Sequence, residues 1–235
     1  MSEPEVLADA AARILGVEVH AQRLRVGGCD VKLWTASLAE LRGRASLLAA
    51  LLSDAERARV SAMREAVAAE RFAGGRAMLR TLLAAALSAD PRALRLTFGA
   101  YGKPALDDVA HGGALRFNLA HSGEVVAVAI CADADVGVDL ERRRALRDLP
   151  RLVERALTPA ERALYESWAT DGAAPDEAFL RAWTVKEARL KSLGLSVGAA
   201  LTRDHPVASA LPWAAASVPQ GPDYFAAVAV SSARS

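Results

Sequence analysis

A chain of 235 residues, 52% hydrophobic and 24% charged, can bury a sizeable core and does not have the composition of a disordered polymer. Its formal net charge of +1 argues against a protein built to coat nucleic acid. The two cysteines, Cys29 and Cys131, stand far apart in no CxxC pattern, which speaks against a disulfide framework or a zinc site and fits a reducing, cytoplasmic setting.

In chain order, the acidic opening MSEPEV has no apolar stretch behind it, so no secretory signal is expected. The apolar run at 47–52 is far too short for a membrane span. The first third reads as helical. Ser53-Asp54-Ala55-Glu56 is a capping box, in which the serine caps an amide and the glutamate reaches back. A second helix over about 68–87 carries Arg71, Arg76 and Arg80 and is ended by Asp90-Pro91. Short β-rich runs follow at 93–98, 114–119, 125–130 and 136–140, separated by turn residues. Thr158-Pro159-Ala160-Glu161 opens another helix with proline at its first position. A polar stretch at 170–175 precedes a long helix over about 176–193, stopped by Gly194, and 224–230 returns to strand. Helices followed by strands, twice over, predict an α+β protein of two similar halves, 1–134 and 135–235, with a boundary near Ala134.

The chemistry concentrates in Gly137-Val138-Asp139-Leu140-Glu141. On a strand Asp139 and Glu141 face one side while Val138 and Leu140 enter the core. Two neighbouring carboxylates repel unless a cation lies between them, and oxygen-only ligands at this spacing suit Mg²⁺. A solvated turn, with Arg142, Arg143 and Arg144 pairing the acids, is the open alternative. On the long helix Phe179, Trp183, Glu187 and Lys191 recur every fourth residue and form one stripe. Its aromatic half can anchor in the core while Glu187 adds a metal carboxylate and Lys191 meets a phosphate. An ordinary surface ion pair of Glu187 with Lys191 would have the same spacing. Phe117-Asn118-Leu119-Ala120-His121-Ser122-Gly123 runs from a strand into a turn, where His121 can offer an imidazole to an anion or be satisfied locally. Ser122 has no triad partners at a recognisable spacing and is not read as a nucleophile. Gly102-Lys103-Pro104 is a tight turn carrying a cation.

Taken in order, Gly102-Lys103-Pro104, the segment 117–122, Gly137 to Glu141, and 179–188 followed by Lys191 resemble the surfactin-type family of 4'-phosphopantetheinyl transferases over about 53–230. The resemblance implies an enzyme that moves the phosphopantetheine arm of coenzyme A onto a serine of an apo acyl or peptidyl carrier protein, releasing 3',5'-ADP. It implies a pseudo-dimeric fold with the active site between the halves. Asp139, Glu141 and Glu187 would hold Mg²⁺ on the pyrophosphate, and Glu187 would help deprotonate the serine. Lys191 and Lys186 would offset charge on the departing nucleotide. Arg76 and His121 would hold the 3'-phosphate, with Lys103 near the adenine end and Arg59 a further coenzyme contact. The family often has serine where this chain has Ala120, so affinity for coenzyme A would rest more on His121 and Arg76. Neither nucleic acid nor a membrane is implied as a partner, and a monomer is expected, because two internal halves can build a site that otherwise needs two chains. A Mg²⁺-dependent pyrophosphate hydrolase on a related scaffold, or a non-catalytic module that docks carrier proteins, remains the competing expectation.

Overall fold

The computed structural model describes residues 1–113, 115–195, 213–216 and 223–232. The chain begins with helix α1 (Glu3–Leu15), whose capping box pairs Ser2 and Glu5. A hairpin of β1 (Val19–Val26) and β2 (Cys29–Ser37) follows, and here the structure corrects the helical reading of the first third. The corrective signal is local: β-branched and polar residues roughly alternate on both sides of Gly27-Gly28, a two-residue hairpin turn. Short helices α2 (Leu38–Leu41), α3 (Ala45–Leu51) and α4 (Asp54–Ala62) lead to the long α5 (Ala66–Leu87). The capping box at Ser53 and Glu56 is present as expected.

Beyond α5 lie β3 (Leu96–Phe98), β4 (Pro104–Leu106), α6 (Asp108–His111), β5 (Arg116–Ser122), β6 (Val125–Cys131) and β7 (Ala134–Arg142). Strand β3 starts later than the sequence suggests, because a turn opened by Asp90-Pro91 occupies the residues before it. Position 114, where the next strand was expected to begin, falls outside the described residues. Helices α7 (Leu149–Ala156), α8 (Pro159–Thr170) and α9 (Pro175–Ser192) precede β8 (Trp213–Ala216) and β9 (Tyr224–Ser232). The architecture is mixed α+β, with antiparallel sheets ordered β1-β2-β6-β5 and β7-β9-β8 and a small β3-β4 pair. Among the described residues no helix is long and apolar enough to cross a membrane.

Strand alternation sorts the core into layers. One face of the four-stranded sheet gives Trp34, Phe117, Val126 and Val128 to a core shared with Leu15 of α1 and Met78, Leu79 and Leu82 of α5. The opposite face gives Leu33, Ala127 and Ala129 to a second core with Val136, Val138, Leu140 and Val228. On the far side of the second sheet, Ala227 and Ala229 meet Val185 and Ala188 of α9. Each large side chain fully buried in these layers contributes about 1.5–3 kcal/mol. The sheets therefore lie back to back between α5 and α9, and β5 runs beside β7 where they meet. Gly137 decides how close α9 comes, since a Cβ there would fall on the Ala188 carbonyl oxygen and the Ser192 amide nitrogen.

Candidate active site

Helix α9 lies against β7 so that Glu187 and Lys191 meet Asp139, while Phe179 and Trp183 of the same stripe pack among α7 and α8. Asp139 is buried, and its Oδ1 accepts from Lys191 Nζ at 2.5 Å. Lys191 also stands 3.5 Å from Glu187 Oε2, which makes it a bridge between the two carboxylates. Burial pushes the Asp139 carboxyl above the usual carboxylate range; Lys191 pulls it back, and Glu187 and Glu141 push it up further. For Lys191 burial alone would lower the pKa, but the charges of Asp139 and Glu187 and the hydrogen bonds to them outweigh it and hold the ammonium above its ordinary value. Glu141 is engaged by Arg144, whose Nη1 donates to Oε2 at 2.7 Å. The arginine pairing weighed against a metal is thus present at Glu141, while Arg143 pairs with Glu177 and not with either acid of the strand.

As they stand, no three His, Cys, Asp or Glu side chains among the described residues form a ready metal site. The donors nevertheless fit Mg²⁺ in kind. They are all carboxylate oxygens, and Asp139 Oδ2 is buried with no hydrogen-bond partner in the protein. A buried, unpartnered carboxylate oxygen beside two further carboxylates is a position that a divalent cation would stabilise.

Across the seam between β5 and β7 lies a cavity of about 480 Å³ lined by Arg59, Arg71, Phe72, Arg76, Phe98, Tyr101, Gly102, Leu119 and His121. Arg76, on α5, is almost fully buried, and its Nη1 has no hydrogen-bond partner. Its guanidinium lies 5.4 Å from the centroid of Phe72 and 5.5 Å from that of Phe98, both within cation–π range. Burial depresses the Arg76 pKa, partly countered by Glu56 and reinforced by Arg59 and Arg80, yet a guanidinium stays charged at neutral pH. Arg59 sits over Phe72 at 4.8 Å, and the Arg71 Nε is also buried without a partner. His121 stands at the mouth, where partial desolvation and the charges of Arg71 and Lys191 hold its imidazole below the ordinary value. Unpartnered guanidinium nitrogens around an open cavity are the equipment of an anion site.

Arg59, Arg76 and His121 are thus brought together at one cavity, and Asp139, Glu187 and Lys191 at the adjoining cluster. Lys186 and Lys103 are not. Lys186 points from α9 the other way, is 5% exposed, and donates to Ala156 O at 2.6 Å and Glu161 Oε2 at 2.9 Å. It stands one residue before Glu187, about 100° around the helix, which turns it away from Lys191 and into line with Phe179 seven residues earlier. Lys103 Nζ donates to Val136 O at 3.0 Å and Ser192 O at 3.1 Å, and burial lowers its pKa to about 8. Its ammonium therefore fastens β7 and the end of α9 and does not face the arginines. The sequence reading missed Arg71, Phe72, Phe98 and Tyr101 as cavity residues. The signal for Phe72 was available, since an aromatic four residues before Arg76 lies under it on a helix. Phe98 and Tyr101 arrive from a separate hairpin and gave none. Arg80 is structural, bonded through Nε to Glu56 Oε2 at 2.5 Å and through Nη1 to Pro91 O at 2.6 Å.

Comparison with known proteins identifies the family of the chain. A family model described as the 4'-phosphopantetheinyl transferase superfamily matches residues 135–221. The 4'-phosphopantetheinyl transferase HetI of Nostoc sp. is 35% identical over 169 residues, covering 70% of this chain and 69% of that protein. A phosphopantetheinyl transferase of Thraustochytrium sp. is 33% identical over 194 residues, covering 79% of this chain and 64% of that protein. The 4'-phosphopantetheinyl transferase AcpT of Salmonella typhimurium is 36% identical over 135 residues, 56% of this chain and 65% of that protein, so the chain spans just under two thirds of the latter two. The chain belongs to the 4'-phosphopantetheinyl transferase superfamily, and its activity is that of a 4'-phosphopantetheinyl transferase. Family membership brings coenzyme A and a carrier protein with it as substrates.

Proposed function

We propose that the chain transfers the 4'-phosphopantetheine group of coenzyme A to a serine hydroxyl of an apo acyl or peptidyl carrier protein and releases 3',5'-ADP. The observation that carries this reading is the adjacency of an arginine-lined anion cavity and a carboxylate cluster bridged by Lys191, on the two sides of the β5–β7 seam. In this reading residues 1–134 hold the nucleotide end of coenzyme A. Arg76 and His121 grip the 3'-phosphate, Arg59 and Arg71 add charge, and Phe98 and Tyr101 offer exposed rings beside it. Residues 135–235 supply the carboxylates and the carrier-docking face.

Asp139, Glu141 and Glu187 would hold Mg²⁺, which when bound supplies charge neutralisation at the pyrophosphate of coenzyme A. The chain's own groups do the rest. Glu187 accepts the proton of the serine hydroxyl, directly or through water, as the serine oxygen forms its bond to the β-phosphorus. The bond from that phosphorus to the bridging oxygen breaks, and Lys191 offsets the charge that develops on the leaving 3',5'-ADP. Help from a general base is worth about 10²–10⁴-fold, so charge neutralisation carries the larger part.

A pseudo-dimer of two similar halves is supported by the order of elements. In 1–134 strand β2 is followed by helices and then the hairpin β5–β6, with β6 next to β2; in 135–235 strand β7 is followed by helices and then β8–β9, with β9 next to β7. Such a chain builds its site within one copy and acts as a monomer. Carrier docking is supported by a cleft of about 600 Å³ lined by Arg147, Asp148, Arg151, Leu152, Arg155, Ala156 and Trp183, where three arginines against one aspartate stand beside apolar side chains.

Mass spectrometry of an apo carrier protein incubated with the chain, coenzyme A and Mg²⁺ tests the proposal. The expected outcome is a gain of one phosphopantetheine arm on the carrier serine. Cleavage of the coenzyme without that gain, or carrier binding alone, would overturn it.

A further inference from the structure

The edge of β7 that faces β5 is closed by side chains in place of a backbone ladder. Among the described residues β7 pairs with β9 on one side only. Every second residue of a strand sends both its N–H and its C=O to the same edge, so Val136, Val138 and Arg142 share the free one. There Val138 N donates to Asn118 Oδ1 at 2.9 Å, Arg142 N donates to Ser122 Oγ at 3.0 Å, and Val136 O accepts from Lys103 Nζ at 3.0 Å. Ser122 Oγ in turn donates to Glu141 Oε2 at 3.4 Å. Asn118 is 5% exposed and Val138 fully buried, so loss of the amide oxygen would leave a backbone N–H unpaired in the core.

Asn118 and Ser122 are four apart on β5, and Val138 and Arg142 are four apart on β7. The strands therefore run the same way, and the two bonds bracket Asp139 and Glu141. The turn between β5 and β6 closes the same seam: Tyr224 Oη accepts from Glu124 N at 3.2 Å. A Cβ on Gly123, whose φ is 54°, would lie 2.8 Å from that oxygen and 2.9 Å from Arg142 Cδ, so a larger residue there would push both side chains aside.

We propose that Asn118 and Ser122 are positioning residues, which use the free edge of β7 to hold Asp139 and Glu141 in register with the anion cavity that begins at His121. This rests on the reading of those two acids as metal-holding carboxylates. A side-chain oxygen reaches further than a backbone carbonyl. Strand β7 can therefore keep its own sheet and still be tied, residue by residue, to the strand that carries His121.

The test compares the full-length wild type with Asn118→Ala, Ser122→Ala, Ser122→Thr and Asp139→Ala. Thermal unfolding, coenzyme A binding by calorimetry without metal, Mn²⁺ binding by electron paramagnetic resonance with coenzyme A present, and kcat are measured for each. Asn118→Ala and Ser122→Ala are expected to weaken Mn²⁺ binding and lower kcat by roughly 10–100-fold, the usual loss when a group that orients a metal ligand is removed. Coenzyme A affinity without metal should stay within about twofold, and Ser122→Thr should recover most of what Ser122→Ala loses. A folded Asn118→Ala with wild-type Mn²⁺ affinity and kcat overturns the inference, as does a loss of coenzyme A affinity as large as the loss of metal affinity. If Asn118→Ala does not fold, Ser122→Ala decides on the same outcomes. If Asp139→Ala leaves Mn²⁺ binding and kcat intact, the metal reading itself fails. If it abolishes both while the two seam variants lose neither, only the positioning role fails.

Discussion

In the proposed site Arg76 and His121, which line one cavity, would meet a phosphate from different starting charges. The Arg76 guanidinium is charged whatever the pH, and its side chain is 8% exposed with one nitrogen unpartnered. Arg76→Ala should raise KM for coenzyme A by roughly tenfold or more, as for losing about 1.5–3 kcal/mol of a charged hydrogen bond. The same change should hardly affect 3'-dephospho-coenzyme A, which lacks the partner; steady-state kinetics on the two substrates checks this, and equal losses on both would remove Arg76 from the phosphate. His121 is held below its ordinary pKa by partial desolvation, Arg71 and Lys191, so the free protein presents it neutral at pH 7. A bound phosphate stabilises the imidazolium and raises that pKa. Binding of coenzyme A near neutral pH should therefore take up a proton, visible as a buffer-dependent heat in calorimetry, and KM should rise as pH passes the pKa of the complex. His121→Ala should remove the proton uptake.

At the scale of elements, the site depends on how closely α9 lies on β7. Both strand acids, and the spacing of Glu187 and Lys191, are legible in the sequence because periods of 2 and about 3.6 state which residues share a face. What periodicity does not contain is the separation of the two elements, which Gly137 controls by having no Cβ between β7 and the Ala188–Ser192 turn of α9. Gly137→Ala should destabilise the fold by about 1–3 kcal/mol or more, because the clash is with backbone that cannot rotate away. It should also lower kcat far more than it weakens coenzyme A binding, since Lys191 and Glu187 move away from Asp139 while the arginine cavity lies across the seam. Thermal unfolding together with kcat and a binding isotherm measures both effects. Lys186 shows the opposite limit of such reading. It stands beside Glu187 in the motif, but one helical step turns it onto Glu161 and the Ala156 carbonyl.

For the whole molecule, a net charge of +1 conceals an uneven surface. The cleft with Arg147, Arg151 and Arg155 around Leu152 and Trp183 is basic, which suits a carrier protein that is acidic around its modified serine. Rim charges of this kind speed encounter more than they add affinity, and salt screens them. The apparent KM for the carrier should rise with ionic strength. Arg151→Glu should raise it about three- to tenfold at low salt, with the gap narrowing as salt increases. A KM that ignores salt would place the carrier elsewhere on the molecule.

The α+β class, the capping boxes at Ser53 and Thr158, the acids of β7 and the stripe of α9 follow from the sequence by itself, because each is set by neighbours within one or two turns of chain. The hairpin β1–β2 is legible in the same way, from the alternation on both sides of Gly27-Gly28. Only the tertiary structure decided that Arg59, Arg71, Arg76, Phe98 and His121 share one cavity and that Asn118 and Ser122 bond to β7, since these groups stand on separate helices and strands that meet only when the chain packs. Local periodicity reports which way a side chain faces along its own element. Which element it faces is a property of the packed whole.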